Sequence, residues 1–372
     1  MPRSLPGAPD LQLTALRGPN GWTGRLQRTA TKVGLKVIPW IPGGAMRLLT
    51  GGRAVTIDGN TLDPTLQLTF AGQQAGGING LAVDDDVMAS RDQARLICLS
   101  LPGPQIHVAV SDVSLPGPAG DIPARHYRPA CAGPAPLLVF YHGGGWVIGD
   151  LDTHDMLCRL TCRDADIHVL SIDYRLAPEH PAPAAVDDAY AAFRWAHQHA
   201  GKLGAIPGKV AVGGDSAGGN LAAVVSQLAR NDGGPIPVLQ WLVYPITDID
   251  ARTRSRTLFA VGFGLTQRDM DWFHAHYLGD SGIAPTDPRV SPLLAEDLAG
   301  LPPTLIAIAG FDPLRDEGEH YATALRAAGN AVDLRCMRSL THLFVNLFPL
   351  GGGSATATAE LVSALRAHLS RV

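Results

Sequence analysis

Over the last two thirds of the chain, short apolar runs alternate with segments of helical period. PLLVFYH (residues 136–142), IHVLSIDYRLA (167–177), KVAVGG (209–214), VLQWLVYP (238–245), TLIAIAGF (304–311) and AVDLRCM (331–337) are the apolar runs. Between or after them lie AAVDDAYAAFRWAHQHA (184–200), a stretch from Ala217 to Asn231, GEHYATALRAAG (318–329) and TAELVSALRAHLS (358–370), which read as helices. Apolar runs of this length separated by helices predict a mostly parallel sheet covered on both faces, an α/β fold. HVAVSDVSLPG and IPARHYRP flank the turn GPAG and predict an antiparallel hairpin at the sheet edge.

Two regions depart from this rhythm. Residues 1–100 contain helix-like text without strand alternation and are expected to form an N-terminal helical cap region, with the catalytic domain at 101–372. Residues 248–301 separate two strands by far more than an ordinary αβ connection. This insertion contains LTQRDMDWFHAHYL, with its own aromatic face. Both are candidate lids over the carboxyl ends of the strands, where open α/β sheets bind ligands.

The stretch AVGGDSAGGNLAAVV (211–225) carries the chemistry. Gly214-Asp215-Ser216-Ala217-Gly218 fits G-x-S-x-G, with a strand before it and a helix after it. A turn that sharp leaves no room for side chains beside the serine and pushes its hydroxyl into the pocket. No Lys-Ser/Thr follows the glycines, and no G-x-G-x-x-G stands here at dinucleotide spacing, so a phosphate loop is excluded. A turn without chemistry stays open until partners are found.

Those partners come from three further loops. HGGGW (142–146) follows a strand, and its glycines free backbone N–H groups to face a cavity. Gly144, Gly145 and Ala217 are the candidate oxyanion donors, each worth about 10²-fold or more in acyl transfer. His142 is read as an anchor of that loop, with Gly143 and Asp215 as supporting residues. The serine also needs a base, and the base an orienting acid. GFDPLRDEG offers Asp312 at a strand end, while Asp316 and Glu317 suit the start of the next helix. SLTHLFVN offers His342, and the only later histidine, His368, lies in the last helix. Ser216, Asp312, His342 is the chain order expected in an α/β-hydrolase sheet.

Composition narrows the alternatives. The 372 residues are 46% hydrophobic, enough for a large core, and the net charge of −4 speaks against a nucleic-acid partner. The five cysteines (98, 131, 158, 162 and 336) have no metal-type spacing, and Cys158 and Cys162 would share one helix face as buried residues. His197/His199 and His274/His276 are i, i+2 pairs in helical text and point apart, so no metal site is expected. No cofactor is expected. The opening MPRSLPGAPDLQLTALRG lacks a signal-type apolar run, which predicts a cytoplasmic protein. Residues 33–49 are apolar but broken by Pro39, Pro42, Gly43 and Gly44. They are a candidate for peripheral membrane or envelope contact, for a homodimer contact, or for packing on their own domain.

With HGGGW at 142, YRLAPEHPAPAAVDDA at 174, GDSAGGN at 214, YPITD at 244 and DPLRDEG at 312, the chain resembles the hormone-sensitive-lipase-like (bacterial family IV) α/β-hydrolases, and within them a mycobacterial carboxylesterase branch. VDDDVMASR and TLDPTLQL carry the closer likeness. The resemblance implies an eight-stranded, mostly parallel sheet with a helical cap. It also implies a serine esterase taking short- to medium-chain acyl esters, with Ser216, Asp312 and His342 as triad. Gly144, Gly145 and Ala217 would then be its oxyanion donors. One departure stands out: the family usually has Gly after the catalytic histidine, and this chain has Leu343. That leucine is expected to shift the histidine loop or to narrow the pocket. A non-catalytic binding module of the same fold is the rival reading.

Overall fold

The computed structural model describes residues 34–131 and 133–372. Residues 1–33 lie outside them, and with them the first third of the expected N-terminal cap and Val33 of the 33–49 segment. A small ribbon pairs β1 (Thr56–Ile57) with β2 (Asn60–Thr61). The main sheet contains β3 (Ala109–Gly117), β4 (Gly120–Arg128), β5 (Ala135–Tyr141), β6 (His168–Ile172), β7 (Ala205–Asp215), β8 (Gln240–Val243), β9 (Thr304–Phe311) and β10 (Val332–Thr341). Its eight strands run in the order β10-β9-β8-β7-β5-β6-β4-β3. The pairs from β10 through β6 are parallel, while β4 runs antiparallel to both β6 and β3. The predicted hairpin is the β3–β4 edge, closed at Gly117↔Gly120.

The central strands are buried on both faces, as their unbroken apolar text requires. Every residue of β6, β8 and β9 is buried. Two core layers result. One packs Phe193, Val225 and Tyr321 from helices on one face, and the other packs Phe140, Trp241, Phe311 and Leu361 on the opposite face. The helix after the serine spans Ala217–Asn231, matching its sequence reading. Cys158 and Cys162 lie buried on one helix, Asp155–Ala165, and all five cysteines are free.

Helices Pro64–Ala75, Val87–Ser100 and Gln267–Leu278 lie at the carboxyl ends of the strands. A polar contact ties the third helix to the loop between the first two. Asp269 completes a capping box with Thr266, and its Oδ1 accepts the N–H groups of Leu81 and Ala82 at 2.9 Å each. The foot of the 248–301 insertion is held by Glu317, which is fully buried. Its carboxylate accepts from Thr247 N–H at 2.9 Å and from Arg256 Nη2 at 2.8 Å. In segment 34–49, Leu35, Ile38 and Met46 pack inward while Trp40, Leu48 and Leu49 are exposed. Among the described residues no helix is long and apolar enough to cross a membrane.

Buried histidines tie stability to pH. Burial holds His126 and His142 down to about 4 and His274 to about 3. The unfolded chain protonates the same groups near pH 6.5. Below that value the unfolded state takes up protons that the fold refuses, so stability is full above about 6.5 and falls as pH drops toward 4. We expect the urea midpoint to decline over this window. His126 sits away from the serine, 3.0 Å from His168. His126→Gln is expected to make the decline shallower by about 1.4 kcal/mol per pH unit, measured by urea unfolding at pH 7.5, 6 and 5.

Candidate active site

Three loops at the carboxyl edge of the sheet converge. Ser216 sits between β7 and its helix at φ +54°, ψ −118°, a backbone state that L residues adopt only under constraint. The constraint is steric. A Cβ at Gly214 would collide with the Tyr141 carbonyl oxygen, and one at Gly218 would collide with the same oxygen. Glycine at both positions lets β5, β7 and the helix approach this closely. The Ser216 N–H donates to the Val243 carbonyl at 2.9 Å and fixes the elbow to β8.

Asp312 follows β9 directly, and His342 follows β10 directly. The Ser216 Oγ–H faces His342 Nε2 at 3.0 Å, and His342 Nδ1 donates to Asp312 Oδ2 at 2.8 Å. All three side chains are buried. The second Asp312 oxygen accepts the Leu314 N–H at 2.8 Å, which fixes the carboxylate plane toward the histidine. Tyr244 covers the imidazole, with ring centroids 4.4 Å apart. The structure thus brings together the three residues that the sequence placed in separate loops. Asp316 and Glu317 fall in the first turn of helix Arg315–Ala327, as their helix-start reading required. His368 pairs with Asp333 at 3.1 Å, far along the last helix.

The glycine loop lies across from the serine. Gly144 and Gly145 have φ of +116° and +60°. A side chain at Gly145 would run into the Phe273 ring, so the cap helix closes directly on this loop. Among the described residues the Gly144 and Gly145 N–H groups have no hydrogen-bond partner. Ala217 opens its helix, where the first N–H groups have no intrahelical acceptor and the dipole favours negative charge. His142 anchors the loop. Its ring stacks on Tyr174 with centroids 4.3 Å apart, and Tyr174 Oη donates to the His142 carbonyl at 2.7 Å. Its Nδ1 lies 2.7 Å from the Gly143 carbonyl oxygen.

Asp215 forms a buried hub that the sequence reading left without partners. Its Oδ1 accepts the Gly143 N–H at 2.9 Å, and its Oδ2 accepts from Asn346 Nδ2 at 3.0 Å. His154 Nε2 stands 3.2 Å from Oδ1. Burial works against the charge, but His154, Asn346 and the Gly143 N–H together hold the carboxyl below its ordinary range. One side chain therefore joins the serine elbow, the glycine loop and the histidine loop. Asp215→Ala is expected to lower kcat for a p-nitrophenyl ester about 10²-fold by letting the Gly143–Gly145 loop drift, with the loss carried in kcat more than in KM.

Around these groups lies an apolar cavity of about 100 Å³, lined in part by Ile97, Ile148, Ile246, Leu265, Met270 and Phe273. His274 also faces it, whereas His276 stacks edge-on against Trp272 at 4.5 Å. The expected divergence of that pair is what the helix produces. Leu343 has φ +70°, the left-handed state for which glycine is suited. For leucine that state costs about 1–2 kcal/mol. The Leu343 carbonyl accepts the N–H groups of Asn346 and Leu347 at 2.9 and 3.0 Å, and this tight turn imposes the angle. His342 keeps its bond to Ser216, so the leucine does not displace the histidine. Among the described residues no cluster of His, Cys, Asp and Glu is arranged to hold a metal ion.

Comparison with known proteins agrees with this architecture. Residues 138–346 match a family model for the alpha/beta hydrolase fold. The chain is 69% identical over 377 residues to the carboxylic ester hydrolase LipN of Mycobacterium tuberculosis (strain ATCC 25618 / H37Rv), covering 100% of both chains. It is 36% identical to an ethyl acetate hydrolase of Pseudomonas putida, over 82% of this chain and 97% of that one. A solved hyperthermophilic esterase from Pyrobaculum calidifontis superposes with a TM-score of 0.71 at 40% identity, covering 77% of this chain and 94% of that one. The chain belongs to the α/β-hydrolase family, in its hormone-sensitive-lipase-like branch.

Proposed function

We propose that this chain is a serine carboxylesterase that hydrolyses short- to medium-chain acyl esters through an acyl-enzyme intermediate. The observation that carries the reading is the continuous relay from Ser216 Oγ through His342 to buried Asp312, at 3.0 and 2.8 Å. Ester hydrolysis as the class is supported by relatives named as ester hydrolases. The short- to medium-chain preference is supported by the limited cavity beside Ser216.

The steps follow from the groups in place. His342 Nε2 takes the proton as Ser216 Oγ attacks the ester carbonyl. Asp312 holds Nδ1 protonated and stabilises the imidazolium. The carbonyl oxygen, now carrying negative charge, is received by the N–H groups of Gly144, Gly145 and Ala217. His342 returns the proton to the leaving alcohol. A water then gives a proton to His342 and attacks the acyl-serine, and the acid is released with Ser216 restored. His142 takes no proton, because burial keeps it neutral down to about 4 and its ring is spent on anchoring the loop. Residues 34–100 and the 248–301 insertion act as the cap that excludes bulk water. The test is hydrolysis of p-nitrophenyl esters from acetate to palmitate, beside Ser216→Ala. Turnover of the shorter esters that disappears in the variant supports the reading. Turnover retained by Ser216→Ala overturns it.

A further inference from the structure

A second cavity of about 60 Å³ lies beyond the first, against Phe70, Gln73, Ile78, Gly264 and Thr266. It reaches the surface, since Gln74 and Asn79 on its rim are exposed. Leu81, Ile97, Leu343 and Leu347 line both cavities, so these four side chains form the wall between them. Among them Leu343 adjoins His342 in the chain, and it is the one held in a backbone state that disfavours leucine. Its turn cannot swing aside. The carbonyl of Leu343 is bonded to two following N–H groups, and Asn346 of the same turn donates to buried Asp215.

We propose that Leu343 is a specificity-determining partition. It ends the apolar channel that starts at Ser216 and closes off a passage to the surface between helix Pro64–Ala75 and the 262–266 loop. The inference rests on the esterase reading of the same site. A substrate whose hydrocarbon arm points toward Leu343 is accepted only up to the length that stops at this wall. A smaller residue at the position joins the two cavities, and a longer arm then threads outward past Phe70. Backbone strain at such a place persists because the surroundings impose it, and it keeps the stopper fixed. Either half of the ester can supply the arm, and the two halves are separable by experiment.

The experiment measures kcat/KM in two homologous series, p-nitrophenyl acyl esters from C2 to C12 and alkyl acetates from methyl to octyl, the latter by pH-stat. Wild type, Leu343→Ala and Ile97→Ala are compared. Ile97 thins the same wall from helix Val87–Ser100, so the test does not depend on the histidine turn surviving substitution. The expected result is that the C8-to-C2 ratio rises about tenfold or more in one series, consistent with what a few methylenes are worth in an apolar pocket. The series that responds identifies the half of the ester facing Leu343. Unchanged ratios in both series for both variants, while Ser216-dependent turnover persists, overturn the partition. Absence of any Ser216-dependent turnover in wild type overturns instead the esterase reading beneath it.

Discussion

Ser216→Ala and His342→Ala are each expected to lower kcat for a short p-nitrophenyl ester by about 10⁵–10⁶-fold, and Asp312→Asn by about 10⁴-fold. The double variant Ser216→Ala/His342→Ala should be no worse than either single one, because the two groups act as a unit. The reason lies in the relay. Without the imidazole, the hydroxyl has no group within 3.0 Å to take its proton. Without a charged carboxylate at Asp312, the imidazole loses the partner that fixes its tautomer, 2.8 Å from Nδ1. The residual rate in each variant would come from the N–H groups of Gly144, Gly145 and Ala217. Stopped assays over a long time course, with circular dichroism to check the fold, measure these losses. Additive losses in the double variant would mean that Ser216 and His342 do not share one step.

Gly218→Ala is expected to destabilise the fold by about 4 kcal/mol or more, or to leave it insoluble. A methyl group there overlaps the Tyr141 carbonyl and stands 2.7 Å from the His142 carbonyl oxygen. Both neighbours are backbone atoms of buried residues at and just past the end of β5, so neither can yield by a rotamer change. Gly72→Ala is the control. It lies within helix Pro64–Ala75, and a Cβ there meets nothing within 4 Å. That change should stabilise by about 0.5–1 kcal/mol. Urea unfolding of both variants measures the contrast, and equal midpoints would refute the steric account of the elbow.

The parts of the site that could be read in advance are those where local sterics leave a written trace. Gly214 and Gly218 are glycines because strands and helix touch there. Asp312 could be found because it directly follows the apolar run 304–311, and His342 because it lies five residues past the run 331–337. The Asp215 hub was not legible in the same way. His154, Asn346 and Gly143 reach it from three distant segments; His154 and Asn346 have no unusual neighbour pattern, and HGGGW marks Gly143 without pointing to Asp215. Helices Pro64–Ala75 and Val87–Ser100 were legible only as helix-like text. Their apolar residues face a cavity and a cap, so the usual two-sided pattern is blurred. Strand β7 begins at Ala205, earlier than the apolar run KVAVGG suggests, because Pro207 and Gly208 hide its first half. Leu343 shows the other kind of limit. The sequence marked the position as a departure, but the neighbouring cavity that gives the leucine a role is built from residues 70–81 and 262–266.

The most direct test of the central claim is covalent capture of the nucleophile. The intact protein is treated with a fluorophosphonate, digested, and the adduct located by mass spectrometry. The account predicts one adduct, on Ser216, formed rapidly in wild type and strongly slowed in His342→Ala. A folded wild-type protein that gains no adduct at Ser216, or gains it equally fast without His342, would contradict it.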